Sequence, residues 1–117
     1  MTPSKLIHRL LLPCLFASLP MAKPGFAATV DNVQALARER GCLACHGMAH
    51  KQVGPGFAQV AARYRNDPAA PARLAARIQA GSVGAWGRVI MPRQPHVADA
   101  EAKALAGWIL SQPLPPP

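Results

Sequence analysis

The stretch Gly41-Cys42-Leu43-Ala44-Cys45-His46 decides how the rest of the chain is read. Two cysteines three apart, followed at once by a histidine, form C-x-x-C-H, the attachment signature of a c-type haem. The spacing has a chemical reason. On a tight turn the two thiols can each add to one of two neighbouring vinyl groups on the macrocycle edge. The next residue then lies beneath the ring with its imidazole toward iron. Cys42 and Cys45 are therefore the candidate covalent anchors and His46 a candidate axial ligand.

Other uses of these residues fit less well. A zinc site needs about four ligands; beyond the signal-like N-terminus only His46, His50 and His96 remain to complete one, without a paired-histidine spacing. A thioredoxin-like redox pair belongs to a strand-helix unit, whereas this chain reads as helical. A structural disulfide would leave His46 without a role.

Working outward from the motif, Val33, Leu36 and Ala37 fall on one face of a short helix over 31–40, which Gly41 stops. Downstream, Gly54 to Gly56 reads as a turn, and Phe57, Val60, Ala61 and Tyr64 mark a second helix, closed by Asn66, Asp67 and Pro68. A third helix starts near Pro71, an acceptable first-turn residue, turns Leu74, Ala75 and Ile78 inward and ends at Gly81. Residues 81–97 hold three glycines and two prolines and show neither helical nor alternating periodicity, so they read as one long loop, a length that usually serves function. The last helix begins near Asp99, whose carboxylate is placed to cap free N–H groups, and buries Leu105, Trp108 and Ile109. Residues 113–117 read as a disordered Pro-rich tail, and no strand is expected anywhere.

The N-terminus reads as an export signal. Lys5, His8 and Arg9 precede an apolar run from Leu10 to Leu19, and small residues follow near Gly25, Ala27 and Ala28. The run is short of the roughly 18 residues a spanning helix needs, and Pro13 and Pro20 flank it, so a membrane anchor is not expected. Cleavage after Ala27 or Ala28 divides the chain into a signal, 1–27, a domain, 28–112, and the tail. Cys14 leaves with the signal; a lipid-attachment cysteine follows a small residue, and here Pro13 stands before it.

The formal charge of the chain is +8, of which Lys5, Arg9 and Lys23 belong to the signal, while all five acids lie beyond it. A modest positive excess suits docking on an acidic protein surface. No Lys/Arg run or aromatic-basic pattern argues for nucleic acid. After the signal the aromatics are Phe57, Tyr64, Trp86 and Trp108, a thin core for a domain near the size where burial alone is marginal. Something other than side chains is expected to fill the middle.

A second axial ligand follows by elimination. A soft thioether suits haem iron and raises its potential; Met48, two residues after His46, cannot reach the opposite face of the ring, which leaves Met91. His96, in the same loop, is the substitute that would give a bis-histidine site, and a purely packed methionine is the other alternative.

In its order of motifs, the chain resembles a small class I bacterial cytochrome c. The resemblance runs from Val33-Gln34-Ala35-Leu36 through the attachment motif, Lys51-Gln52-Val53-Gly54-Pro55-Gly56-Phe57, Gly81-Ser82-Val83-Gly84-Ala85-Trp86-Gly87 and Met91-Pro92 to Trp108-Ile109-Leu110-Ser111-Gln112. It implies an all-α cytochrome c fold of about four short helices around one covalent haem c, with His46 and Met91 as axial ligands. By the same resemblance the Pro55 carbonyl accepts from His46, and Trp86 donates to a haem propionate; Arg77 is placed either near that propionate or on a solvated helix face. The family often has asparagine shortly after the methionine; this chain has Gln94 in that region, placed to reach the Met91 sulfur.

The function so implied is that of a periplasmic, monomeric electron carrier cycling between Fe(II) and Fe(III), with no bond chemistry of its own. Its implied partners are redox proteins such as a membrane quinol-cytochrome c reductase, a terminal oxidase or a nitrite reductase, steered to the haem edge by Lys51, Arg88 and Arg93. Two alternatives stay open: a haem enzyme with an open sixth site, acting on peroxide or a small gas, and a redox subunit fixed in a larger complex.

Overall fold

The computed structural model describes residues 30–117. The export signal, its cleavage site and Cys14 lie outside them. Four helices carry the fold: α1 over Val30–Glu39, α2 over Phe57–Tyr64, α3 over Ala70–Ala80 and α4 over Asp99–Leu110. A single 3-10 turn, Cys42–Ala44, lies just after α1. The expected helices are present to within a residue or two.

The C-terminal helix is the hub. Helix α4 packs on α1, α2 and α3, and its buried Ala102, Leu105, Ala106, Trp108 and Ile109 meet Val33 and Ala37 of α1, Phe57 and Val60 of α2, and Leu74, Ala75 and Ile78 of α3. Alanines at 37, 102 and 106, each at most 1% exposed, let the helices approach closely. Phe57 and Trp108 meet edge to face, with centroids 5.2 Å apart, a geometry worth ~0.5–1.5 kcal/mol beyond burial. Leu105 is the one large side chain that is fully buried among the described residues. Of this core, Phe57, Val60, Leu74, Ile78, Leu105 and Ile109 border a cleft.

Two expectations are corrected. The segment read as a loop without strands contains an antiparallel hairpin, β1 over Ser82–Gly84 and β2 over Gly87–Met91, pairing Ser82 with Met91, Val83 with Ile90 and Gly84 with Gly87. The pattern hid because the strands are short, a register irregularity falls between Val83 and Gly84, and the exposed positions include apolar Val83 and Ile90, at 74% and 65%. Gly84 and Gly87, at φ 78° and 84°, bracket the turn Ala85-Trp86 in a conformation that favours glycine. Second, Asp99 does not cap α4. Ala98 holds the N-cap position, its N–H donates to Glu101 Oε2 at 3.0 Å, and Asp99 Oδ1 instead accepts from Gln79 Nε2 at 2.8 Å.

Glu101 also ties α4 to the end of α1. Arg40 Nε and Nη2 donate to its two carboxylate oxygens at 3.2 and 2.6 Å, a fork-to-carboxylate pair just ahead of the attachment motif. The side-chain hydrogen bond from Arg40 holds the Glu101 carboxyl below the usual carboxylate range, and the same bond raises Arg40. Residues 113–117 carry neither helix nor strand.

Candidate functional site

The segment after α1 is closed on itself by backbone bonds. Gly41, at φ 76°, turns the chain out of the helix, and the N–H groups of Cys45 and His46 both donate to Cys42 O, at 3.2 and 3.0 Å. That tight turn sets Cys42, Cys45 and His46 along one wall of the cleft. Further on, Val53 and Gly54 donate to Cys45 O at 3.1 and 2.8 Å, and Phe57 and Ala58 donate to Gly47 O and Met48 O at 2.9 and 2.8 Å. The run 45–56 is thus a loop folded back onto the start of α2.

His46 is fixed from three sides. Its Nδ1 lies 2.7 Å from Pro55 O. A carbonyl only accepts, so Nδ1 is the donor, and in the neutral imidazole that leaves the lone pair on Nε2. Its ring stacks on Phe57, with centroids 5.2 Å apart and planes 15° apart. Gly54 covers another side: a Cβ there would stand 2.7 Å from His46 Cε1. Glycine at 54 is what allows backbone to pass over the imidazole.

The hairpin lines the same cleft. Along β2, Val89 and Met91 are half-buried while Arg88 and Ile90 are exposed, the alternation expected of a strand with one covered face. Met91 lines the cleft together with Pro92, Gln94 and Trp86. Gly81 anchors the base. It ends α3 at φ 80°, and a Cβ on it would stand 2.7 Å from Met91 O, so the two backbones touch.

Between the walls, core side chains form the floor: Val60, Leu74, Ile78, Leu105 and Ile109 all line the cleft. Hydrocarbon left facing an opening this way lacks partners on one side. A flat apolar ring with covalent handles at Cys42 and Cys45 and a nitrogen lone pair at His46 matches both the shape and the donor set. The residues present fit a haem.

The other expected residues sort by position. Trp86 sits at the hairpin tip and lines the cleft, with Tyr64 edge-on at 6.5 Å. Arg77 lines it too and donates Nη1 to Tyr64 OH at 3.0 Å. Gln94 lines it, but its Nε2 donates to Pro92 O at 3.2 Å. Lys51, Arg88 and Arg93 are exposed. His96 is absent from the lining; its Nε2 lies 3.5 Å from Arg40 O. Met48 is likewise outside the lining. Burial pushes the Cys42 thiol up, while Cys45 is exposed. The sequence reading missed the roles of Gly54 and Phe57. The Gly-Pro-Gly run 54–56 was the available signal, since two glycines flanking one proline exceed what a plain turn requires.

Fold and cleft together define a small, mostly helical protein with an apolar cleft that fits a haem. The chain belongs to the cytochrome c family: the family model for cytochrome c matches residues 30–113. Cytochrome c-551 of Allochromatium vinosum is 51% identical over 75 residues, covering 64% of this chain and 80% of that protein. Cytochrome c-552 of Hydrogenobacter thermophilus is 46% identical over 93 residues, covering 80% and 94%. The crystal structure of Nitrosomonas europaea cytochrome c552 superposes with a TM-score of 0.66 at 44% identity, covering 68% of this chain and 98% of that one. The chain accordingly carries one covalent haem c and is an electron carrier, not an enzyme. When bound, the haem supplies a one-electron Fe(II)/Fe(III) couple. Its partners are redox proteins.

Proposed function

We propose that this chain is an exported, periplasmic carrier whose haem iron is held between His46 and Met91, with Cys42 and Cys45 as the thioether anchors. One observation supports this more than any other. His46, with Nδ1 committed to Pro55 O, and Met91, at the end of β2, line the same apolar cleft. Pro55 orients the imidazole and strengthens it as a donor. Trp86 supplies an indole N–H for a propionate, beside Arg77. With both axial positions taken by the chain, no position is left for a substrate. Among the described residues no helix is long and apolar enough to cross a membrane, and the signal-like residues 1–27 support release into the periplasm.

The charge layout favours an acidic partner. Between Arg40 and Ala98 the sole acid is Asp67, and it is ion-paired with Arg73, whereas Lys51, Arg88 and Arg93 are exposed in the same stretch. A membrane quinol-cytochrome c reductase, a terminal oxidase or a nitrite reductase with an acidic docking face fits, in a weak and rapidly exchanging complex. Surface charges are screened beyond about 8 Å at physiological ionic strength, so electron-transfer rates with such a partner should fall as salt rises. The deciding experiment is optical. The reduced protein should give the sharp spectrum of a low-spin c-type haem, and the ferric protein the weak near-infrared band of sulfur-to-iron charge transfer. A resting high-spin spectrum, or the absence of that band, would sink the assignment of Met91.

A further inference from the structure

The turn that carries Trp86 is gripped from outside the cleft. Arg63 lies on the exposed side of α2, one residue before the helix ends. Its Nη1 donates to Ala85 O at 2.6 Å. Its Cζ stands 4.6 Å from the centre of the Trp86 ring and 5.6 Å from that of Tyr64. Ala85 and Trp86 are the two residues between β1 and β2. One guanidinium therefore holds both tip residues, the first by its carbonyl and the second by its ring. A planar, delocalised cation suits this double duty, because it can stack by its face and donate along its edge.

The hairpin needs an attachment at its tip. A two-stranded ribbon is marginal in water when nothing supports it; here the register is irregular between Val83 and Gly84, and Val83 is 74% exposed. The base is secured by Gly81 against Met91 O and by the Gln94 N–H, which donates to Gln79 O at 3.1 Å. At the tip, apart from Arg63, the Trp86 ring meets Tyr64 edge-on. Arg63 does not itself line the cleft.

We infer that Arg63 is a positioning residue: it clamps the hairpin tip to α2 and, through the hairpin, holds Trp86 and Met91 against the cleft. The inference rests on the roles proposed above for Met91 and Trp86. Losing one charged hydrogen bond and one cation–π contact at an exposed site should shift the hairpin's opening equilibrium by about tenfold.

The test compares the holoprotein with its Arg63→Ala and Arg63→Lys variants by two readouts. The first is amide hydrogen exchange of Gly87–Met91; the second is the affinity of the ferric protein for added imidazole, which must displace the sixth ligand. In Arg63→Ala the hairpin amides should exchange about tenfold faster and imidazole should bind about tenfold more tightly, with α1 and α4 unchanged. Arg63→Lys should fall between, because an ammonium keeps the attraction to the ring but loses the planar fork. Wild-type values in Arg63→Ala would overturn the inference, as would equal acceleration in α1 and α4, which would make Arg63 a general stabiliser. If Arg63→Ala does not accumulate as holoprotein, Arg63→Lys decides by the same readouts, and wild-type behaviour there overturns the clamp. A wild-type ferric protein without the sulfur-to-iron band would remove Met91 as ligand, leaving hairpin exchange alone to decide on Arg63.

Discussion

The two walls of the cleft are built to different standards. The His46 wall is over-determined: backbone bonds close 42–58 on itself, and the ring is met by Pro55 O, Phe57 and Gly54. The Met91 wall is a short hairpin with an exposed outer face, secured at its base and by one arginine at its tip. A carrier must keep its iron ligated in both oxidation states, and a hard constraint on one side lets the other side adjust. Under the proposed ligation the histidine fixes the iron, and the methionine side is where small changes tune it.

The largest expected effect lies on the rigid wall. Replacing both Cys42 and Cys45 by alanine should abolish covalent haem, so acid-acetone extraction should strip colour from the variant and leave it with the wild-type polypeptide. Next is the hairpin. Met91→Ala should keep the haem attached but lose the near-infrared band, lower the reduction potential and begin to bind cyanide readily. A variant with unchanged potential and no cyanide binding would show that something else occupies that position.

A smaller effect separates backbone space from side-chain identity within the rigid wall. Gly54→Ala puts a methyl 2.7 Å from His46 Cε1, and such overpacking should cost ~1–3 kcal/mol in chemical denaturation. Pro55→Ala keeps the carbonyl that His46 uses and should cost only ~0.4–1 kcal/mol through the unfolded chain. Equal costs would mean that the glycine is not a steric requirement.

The smallest concerns the tie between α1 and α4. Because Arg40 holds the Glu101 carboxyl below its ordinary value, the stabilisation is fully present above the unfolded carboxylate pKa of about 4.3 and is lost as pH falls through the lower folded value. Glu101→Gln should therefore lower the thermal midpoint at neutral pH, and the difference from wild type should shrink as the solution is acidified into and below the carboxylate range. A difference independent of pH would point to shape rather than charge.

Much of this was legible in the sequence. The attachment motif is local chemistry, and helices α1 to α4 announce themselves by apolar spacing and by Gly or Pro at their ends. The hairpin was not legible, because strand signals rest on polar-apolar alternation, and here the exposed positions Val83 and Ile90 are as apolar as the covered ones. The cap of α4 was misread for a related reason. Asp99 and Glu101 are both acids in the first turn, and only tertiary contact with Gln79 and Arg40 decides which of them serves the free N–H. Gly54 and Arg63 depend on distances between parts remote in sequence or packed ring on backbone, which no local pattern encodes.

The unequal burial of the two cysteines bears on the order of events during maturation. In the closed fold Cys42 is half-buried and its thiol is pushed up, whereas Cys45 stands in solvent. Sulfur reacts as thiolate, so a chain that closed its helices before both bonds were made would offer the first cysteine in its less reactive form.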